Sequence, residues 1–120
     1  MQIVKTVWRE FKKNRRSPAW RKVRAEHIER HNECAACGSK WLLQVHHIVP
    51  FHEDPALELD PDNLITLCAA TCHLAIGHGG DFKFFNRAVV WMAKQARKGL
   101  VTAKAASEAA FACREKNDGI

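Results

Sequence analysis

Cys34 and Cys37 enclose two residues, and Cys68 and Cys72 enclose three. Nothing else in this chain limits its fold as much. Each pair can turn two thiolates to one side. Two such turns about thirty residues apart can close a tetrahedral Zn(Cys)4 site. Four thiolates leave no open coordination position, so the zinc expected here is structural. It would tie the end of the first helix to the end of the second strand and add folding energy to a small domain. The plain alternative is two chance pairs of buried free thiols. The chain has five cysteines, and its first residues, MQIVKTVWREFKKNRR, contain no apolar leader. Both facts argue against a disulfide framework and for a cytoplasmic protein. Cys113 has no partner by spacing and reads as a small buried apolar residue.

A length of 120 residues suits one domain with a modest core. No apolar run approaches the length of a membrane span. The net charge of +6 is unevenly spread. Residues 1–31 carry ten Lys/Arg against three Asp/Glu, and residues 82–117 carry eight against two. Between them, PFHEDPALELDPD (50–62) holds five carboxylates. Two basic arms around an acidic centre suit a polyanion such as nucleic acid, although a merely solvated surface gives the same count.

Local patterns divide the chain into a basic N-terminal arm (1–16), a central unit (17–80) and a helical extension (81–120), within one domain overall. Ser17-Pro18 reads as a helix start, with Ser17 as N-cap. Trp20, Val23, His27 and Ile28 share a face of that helix, away from most of its basic residues. WLLQVHHIVP (41–50) is strand-like and ends at Pro50, and LITLC (64–68) is a second short strand. ATCHLAIGHGG (70–80) reads as a short helix stopped by Gly77 or Gly79-Gly80. The spacing of Phe82, Phe85, Val89, Met92 and Ala96 predicts a helix from Phe82 to Arg97. A final alanine-rich helix is expected from Thr102 to about Lys116. The four tryptophans, Trp8, Trp20, Trp41 and Trp91, are expected in the core or in packing.

His46 and His47 are adjacent on the first strand, so their side chains point to opposite faces and do not suit one shared metal. Each can do a separate job. His46 can share a metal with a histidine on the following helix. His47, a neutral imidazole near pH 7, can serve as a base toward a groove. The stretches SPAWRKVRAEHIERH, CAAC, LQVHHIVP, DNLITLC and CH, taken together, resemble the HNH endonuclease family. They run from about Ser17 to His78.

The resemblance implies an α+β fold: a small ββα-metal core with a two-stranded antiparallel hairpin, flanked by helices and the Zn(Cys)4 pair of turns. It implies His46 and His73 as metal ligands, with His78 as a third. The spacing from His73 to His78 is five residues, a poor match to one face of an α-helix. It further implies His47 as general base and Asn63 as the residue that ties the loop holding that base. The activity implied is metal-dependent hydrolysis of DNA phosphodiester bonds, as a nick or a double-strand cut. A nitrogen-rich ligand set favours Mn2+, Ni2+ or Zn2+ over Mg2+. Lys12, Lys13, Arg15, Arg16, Arg21, Lys22 and Arg24 are the expected phosphate contacts, with Lys94, Arg97 and Lys98 behind them. No recognition helix is apparent, so low sequence specificity is expected, or specificity from a protein partner; a homodimer is a further option. Small proteins of this kind occur in phage, prophage and restriction settings. The competing reading is a non-catalytic zinc-ribbon DNA-binding module, which needs neither His47 nor Asn63.

Overall fold

The computed structural model describes residues 16–116. Trp8, Lys12, Lys13 and Arg15 lie outside the described residues, as does the side chain of Cys113. In chain order the elements are helix α1 (Trp20–Arg30), strands β1 (Leu43–His47) and β2 (Leu64–Cys68), and one π-helical turn (His73–Gly77). Strand β3 (Phe84–Asn86), helices α2 (Val89–Arg97) and α3 (Ala103–Cys113) and strand β4 (Arg114–Lys116) follow. Two 3-10 turns, Pro55–Leu57 and Pro61–Asn63, shape the acidic loop between β1 and β2.

Helix α1 starts at Trp20, two residues beyond the position implied by Ser17-Pro18. Ser17 still supports the entry turn. Its hydroxyl accepts from Ala19 N at 3.1 Å and its carbonyl from Trp20 N at 3.1 Å. The predicted inner face holds: His27 is buried and Trp20, Val23 and Ile28 are half-buried, while Arg21, Lys22 and Arg24 are exposed.

The hairpin β1–β2 is antiparallel, with His46 opposite Ile65 and His47 opposite Leu64. All five residues of β2 are buried. By alternation, Gln44 and His46 share one face of β1, and Leu43, Val45 and His47 share the other. The first face meets the π turn and the second meets α1. One apolar cluster joins Cys34, Cys68 and Cys72 to Ile65, Leu67, Ile76, Val89, Met92, Ala93 and Ala106. Helices α2 and α3 therefore complete the core of the hairpin.

Two expectations fail here. Residues 82–88 are not helical; Phe84–Asn86 pairs antiparallel with Arg114–Lys116, which in turn shortens the last helix. Polar side chains compete with the helix. Asp81 Oδ1 accepts from Lys83 N at 2.9 Å, and Asn86 Oδ1 accepts from Ala88 N at 2.9 Å. Asn86 is fully buried and donates to Ile76 O at 3.0 Å, which locks the segment as strand. The tryptophans also depart from expectation. Trp20 packs, but Trp41 is 80% exposed and Trp91 62% exposed. Trp91 lies off the buried stripe Val89, Met92 and Ala93 of α2. Trp41 precedes β1, where Leu42 adopts a left-handed φ of 52°.

Candidate metal centres and active site

Two clusters able to hold metal ions lie among the described residues. The first is Cys34, Cys37, Cys68 and Cys72, whose sulfurs all lie within 4.8 Å of one another. The first turn is stapled to β2: Ala35 N donates to Thr66 O at 2.9 Å, and Gly38 N to Cys34 O at 2.9 Å. The second turn leaves β2 directly, and Cys72 N donates to Cys68 Sγ at 3.5 Å. The Cys37 and Cys68 sulfurs are 3.7 Å apart. A Zn–S bond of about 2.3 Å predicts about 3.8 Å between tetrahedral ligands, which the Cys37–Cys68 pair matches, and the other sulfurs lie within 4.8 Å, so the donor set suits zinc. The hydrogen bond from Cys72 pushes the Cys34 thiol down to about 4 against the effect of burial, while that same bond, with burial, pushes Cys72 up. The extra residue in the second pair falls in the turn that follows Cys68, the last residue of β2.

The second cluster is His46, His73 and His78. His46 Nδ1 lies 3.1 Å from His73 Nε2, which lies 3.2 Å from His78 Nε2. The five-residue spacing works because the chain forms a π turn here. His78 N donates to His73 O at 3.1 Å, an i+5 bond, so residue 78 comes beneath residue 73. Gly77 is part of the fit. A Cβ there would lie 3.2 Å from His46 Cε1 and Nδ1 and 3.3 Å from His73 Cδ2. Gly79 and Gly80, at φ of 61° and 90°, then stop the turn.

Outer partners aim the rings. His73 Nδ1 donates to Gln44 Oε1 at 2.5 Å, and His78 Nδ1 donates to Phe84 O at 2.6 Å. Both Nε2 atoms are thus bare lone pairs facing each other, an arrangement that favours a cation between them. A metal–nitrogen bond of about 2.0–2.1 Å predicts ligand nitrogens about 3.3 Å apart, close to the spacing present. Burial, then the neighbouring imidazoles, hold His46 well below its ordinary value; burial and His78 bring His73 down to about 4. All three rings are neutral at pH 7, the form that ligates metal.

His47 lies on the other face of β1, stacked against Trp20 at 4.4 Å between centroids. Its Nε2 donates to Glu58 O at 3.0 Å, which leaves Nδ1 as the proton acceptor. Burial lowers its pKa, with Arg16 adding to the effect and Glu58 opposing it. Asn63 is buried and staples the loop: Oδ1 accepts from Val49 N at 2.8 Å, and Nδ2 donates to Val49 O at 3.0 Å and Leu57 O at 3.1 Å. The second of those carbonyls directly precedes Glu58. Despite their opposite faces, His46 and His47 line one cleft of about 260 Å3 with His73, His78, Arg16, Phe51 and His52.

Residues 34–79 match the family described as HNH endonuclease. Residues 34–79 are an HNH endonuclease domain. No curated protein and no solved structure matches the chain. The hairpin, the helical elements and the four-cysteine cluster are those of a ββα-metal HNH domain. Among the described residues, no helix is long and apolar enough to cross a membrane.

The sequence reading missed three residues around the HNH site. Gln44, two before His46, shares its strand face, and that alternation was the available signal. Phe84 contributes only a carbonyl, which no residue type signals. Glu58 is buried in an otherwise exposed acidic loop; its carboxylate accepts from Ser17 N at 3.0 Å and faces the Arg16 guanidinium at 3.6 Å. Arg16 also lies over Phe51, 4.5 Å from its centroid. Of the other expected phosphate contacts, Arg21, Lys22 and Arg24 stand exposed on α1. Arg97 is paired with Glu33 at 3.0 Å.

Proposed function

We propose that this chain is a metal-dependent endonuclease that hydrolyses phosphodiester bonds in double-stranded DNA. The observation that carries the reading is the shared cleft: three converging imidazoles and a separately held fourth, His47, open onto the same space. In this reading His46, His73 and His78 hold the catalytic metal, and Cys34, Cys37, Cys68 and Cys72 hold a structural zinc. A divalent ion on the histidines supplies Lewis acidity to the scissile phosphate and to its leaving oxygen.

The chain's own residues do the rest. His47 Nδ1 takes a proton from the attacking water. The water oxygen bonds to phosphorus, the bond to the 3′-oxygen breaks, and the departing 3′-oxyanion takes a proton from solvent, leaving a 5′-phosphate and a 3′-hydroxyl. The Glu58 carbonyl keeps the His47 ring in the tautomer with Nδ1 bare, and Asn63 keeps that carbonyl in place. Because burial holds His47 below its ordinary value, it is unprotonated and competent at neutral pH. Arg16, Arg21, Lys22 and Arg24, with Lys12, Lys13 and Arg15 of the basic arm, contact phosphates. Such contacts position DNA without reading sequence, so the isolated chain cuts with low specificity. A nitrogen-only ligand set works with Mn2+, Ni2+ or Zn2+ and holds Mg2+ weakly. A phage, prophage or restriction setting suits such an activity.

Supercoiled plasmid incubated with Mg2+, Mn2+, Ni2+ and Zn2+ tests the proposal. Wild type nicks or linearises it with at least one metal, and His47→Ala loses about 10²–10⁴-fold of that rate with unchanged metal content. If both are inert with every metal yet both retard DNA on a gel, the chain is a non-catalytic zinc-ribbon binder instead.

A further inference from the structure

Trp41 and Leu42 are the two most exposed large apolar residues among those described, at 80% and 70%. They are adjacent, and they do not hang from a loose end. Ser39 Oγ accepts from Trp41 N at 3.2 Å, and Leu42 O accepts from Ala69 N at 2.7 Å. The first links them to the turn that carries Cys34 and Cys37, and the second to the end of β2. Leu42 is the only non-glycine residue with positive φ among the described residues, at 52°. For a leucine this conformation costs about 1 kcal/mol or more. The fold thus accepts backbone strain in order to hold an indole and an isobutyl group in water.

The surrounding charge points to what covers them. Residues 34–52 and 64–80, which contain both cysteine turns and both strands, include no Asp or Glu at all. Lys40 directly precedes Trp41 and is exposed. Arg97, whose guanidinium lies against Gly38, pairs with Glu33 just outside these stretches, so Lys40 is left to offset the surplus negative charge of a Zn(Cys)4 site. A polyanion meets no carboxylate repulsion from these stretches. Self-association is poorly served, because two side chains offer on the order of 300 Å2, against about 800 Å2 per partner in a standard interface.

We propose that Trp41 and Leu42 form a rigid apolar wedge that stacks against or between the bases of bound DNA. Trp41 is five residues before His46. An extended chain of that length spans at most about 17 Å, or about five base pairs of duplex. With side-chain reach added at both ends, the contact therefore falls within about one helical turn of duplex of the phosphate that is cut. Apolar wedges unstack base steps and bend the duplex, which lets more protein surface reach it. The inference rests on the DNA-cleaving reading, since it places the wedge on the same substrate.

The test uses the full chain in a His47→Ala background, which binds without cutting, and a short duplex carrying 2-aminopurine. The parent raises 2-aminopurine emission near the wedge. Trp41→Ala with Leu42→Ala abolishes that rise and weakens binding about tenfold, and Trp41→Phe restores most of it. The slope of log affinity against log salt stays the same, because an apolar contact releases no counterions; Lys40→Ala lowers that slope by about one instead. Zinc content and melting temperature show that the variants are folded.

Equal binding and equal emission in parent and double variant overturn the wedge. A change of salt slope in the folded double variant also overturns it, as does a parent dimer that the double variant makes monomeric. If wild type neither binds nor cuts DNA, the nuclease reading has failed and the wedge falls with it. If wild type cuts and the double variant cuts at the same rate at every DNA concentration, the wedge alone has failed.

Discussion

The two metal-ligand clusters of this small domain are built on opposite plans. The cysteine cluster takes its ligands from two turns, buries three of its four residues, and has no part in the cleft that the histidines line. The histidine cluster takes one ligand from a strand, one from the start of a π turn and one from the residue just after it, and it opens onto a cleft that also holds His47. A closed set of four thiolates would leave a bound ion no open position. An open set of three imidazoles keeps room for a phosphate oxygen or water. The difference also appears in the outer partners. The thiols are fixed by backbone amides of their own turns, whereas His73 and His78 are aimed by Gln44 and by the Phe84 carbonyl. In the proposed reading folding and chemistry are assigned to separate atoms, so perturbing the histidines should spare the fold, whereas losing the cysteine cluster should cost both.

The largest effect expected from breaking this division is at the cysteines. Cys34→Ser removes a fully buried ligand at the centre of the core cluster. Structural zinc contributes on the order of 10 kcal/mol, comparable to the whole stability of a small domain. The variant should lose its cooperative thermal transition, read by circular dichroism. A variant that melts normally would show that the cluster is dispensable and that the comparison is wrong.

A smaller effect is expected at Gln44. Gln44→Ala leaves His73 Nδ1 without its acceptor and frees the ring to turn. Affinity for Mn2+ or Ni2+ should fall about 10–100-fold, as is usual when the outer partner of a ligand is removed, while the melting temperature moves by only a few degrees. Metal titration followed calorimetrically checks it. An unchanged affinity would mean that the π turn alone orients the ring.

The smallest effect is a matter of pH. Burial depresses His46 and brings His73 to about 4, below the 6.5 of an unfolded histidine. Between those values the unfolded chain binds more protons than the folded one. Stability without metal at the histidines is therefore complete above 6.5 and declines as pH falls toward 4. In the same window His46 and His73 resist protonation, so metal affinity should fall less steeply with acid than it would for ordinary histidines. Urea midpoints and metal affinity measured across this range test both halves. A loss of metal that begins at about 6.5 would place the triad in a wetter setting than its geometry indicates.

Much of this was legible from residue types and spacing. The cysteine pairs named their own cluster, because ligand spacing is a local property of two turns. The separate faces of the HH pair were readable through strand alternation, and Asn63 and His73 entered through the resemblance to the HNH family. Charge located the basic arm and helix α1. Other features depended on contacts between distant segments. The spacing of His73 and His78 argued against a shared face until the chain wound as a π turn around Gly77. The helix predicted from Phe82 failed because Asn86 found Ile76 O in the core, a partner no periodicity reveals. Glu58 looked like one more solvated acid until the loop folded over it.

From the sequence alone, then, came the set of chemical groups and the order in which the chain presents them: four thiols in two turns, two imidazoles on a strand, two more after it, and cations at both ends. Those are properties of neighbours along a chain, decided by spacing and side-chain type. Tertiary structure alone decided which nitrogen of each ring faces inward, that His46 and His47 open onto one cleft from two faces of β1, and that Trp41 and Leu42 point into water. The physical reason is that a tautomer, a cleft or a strained φ is selected by hydrogen bonds and packing from residues ten to forty positions away, and no local pattern carries that information.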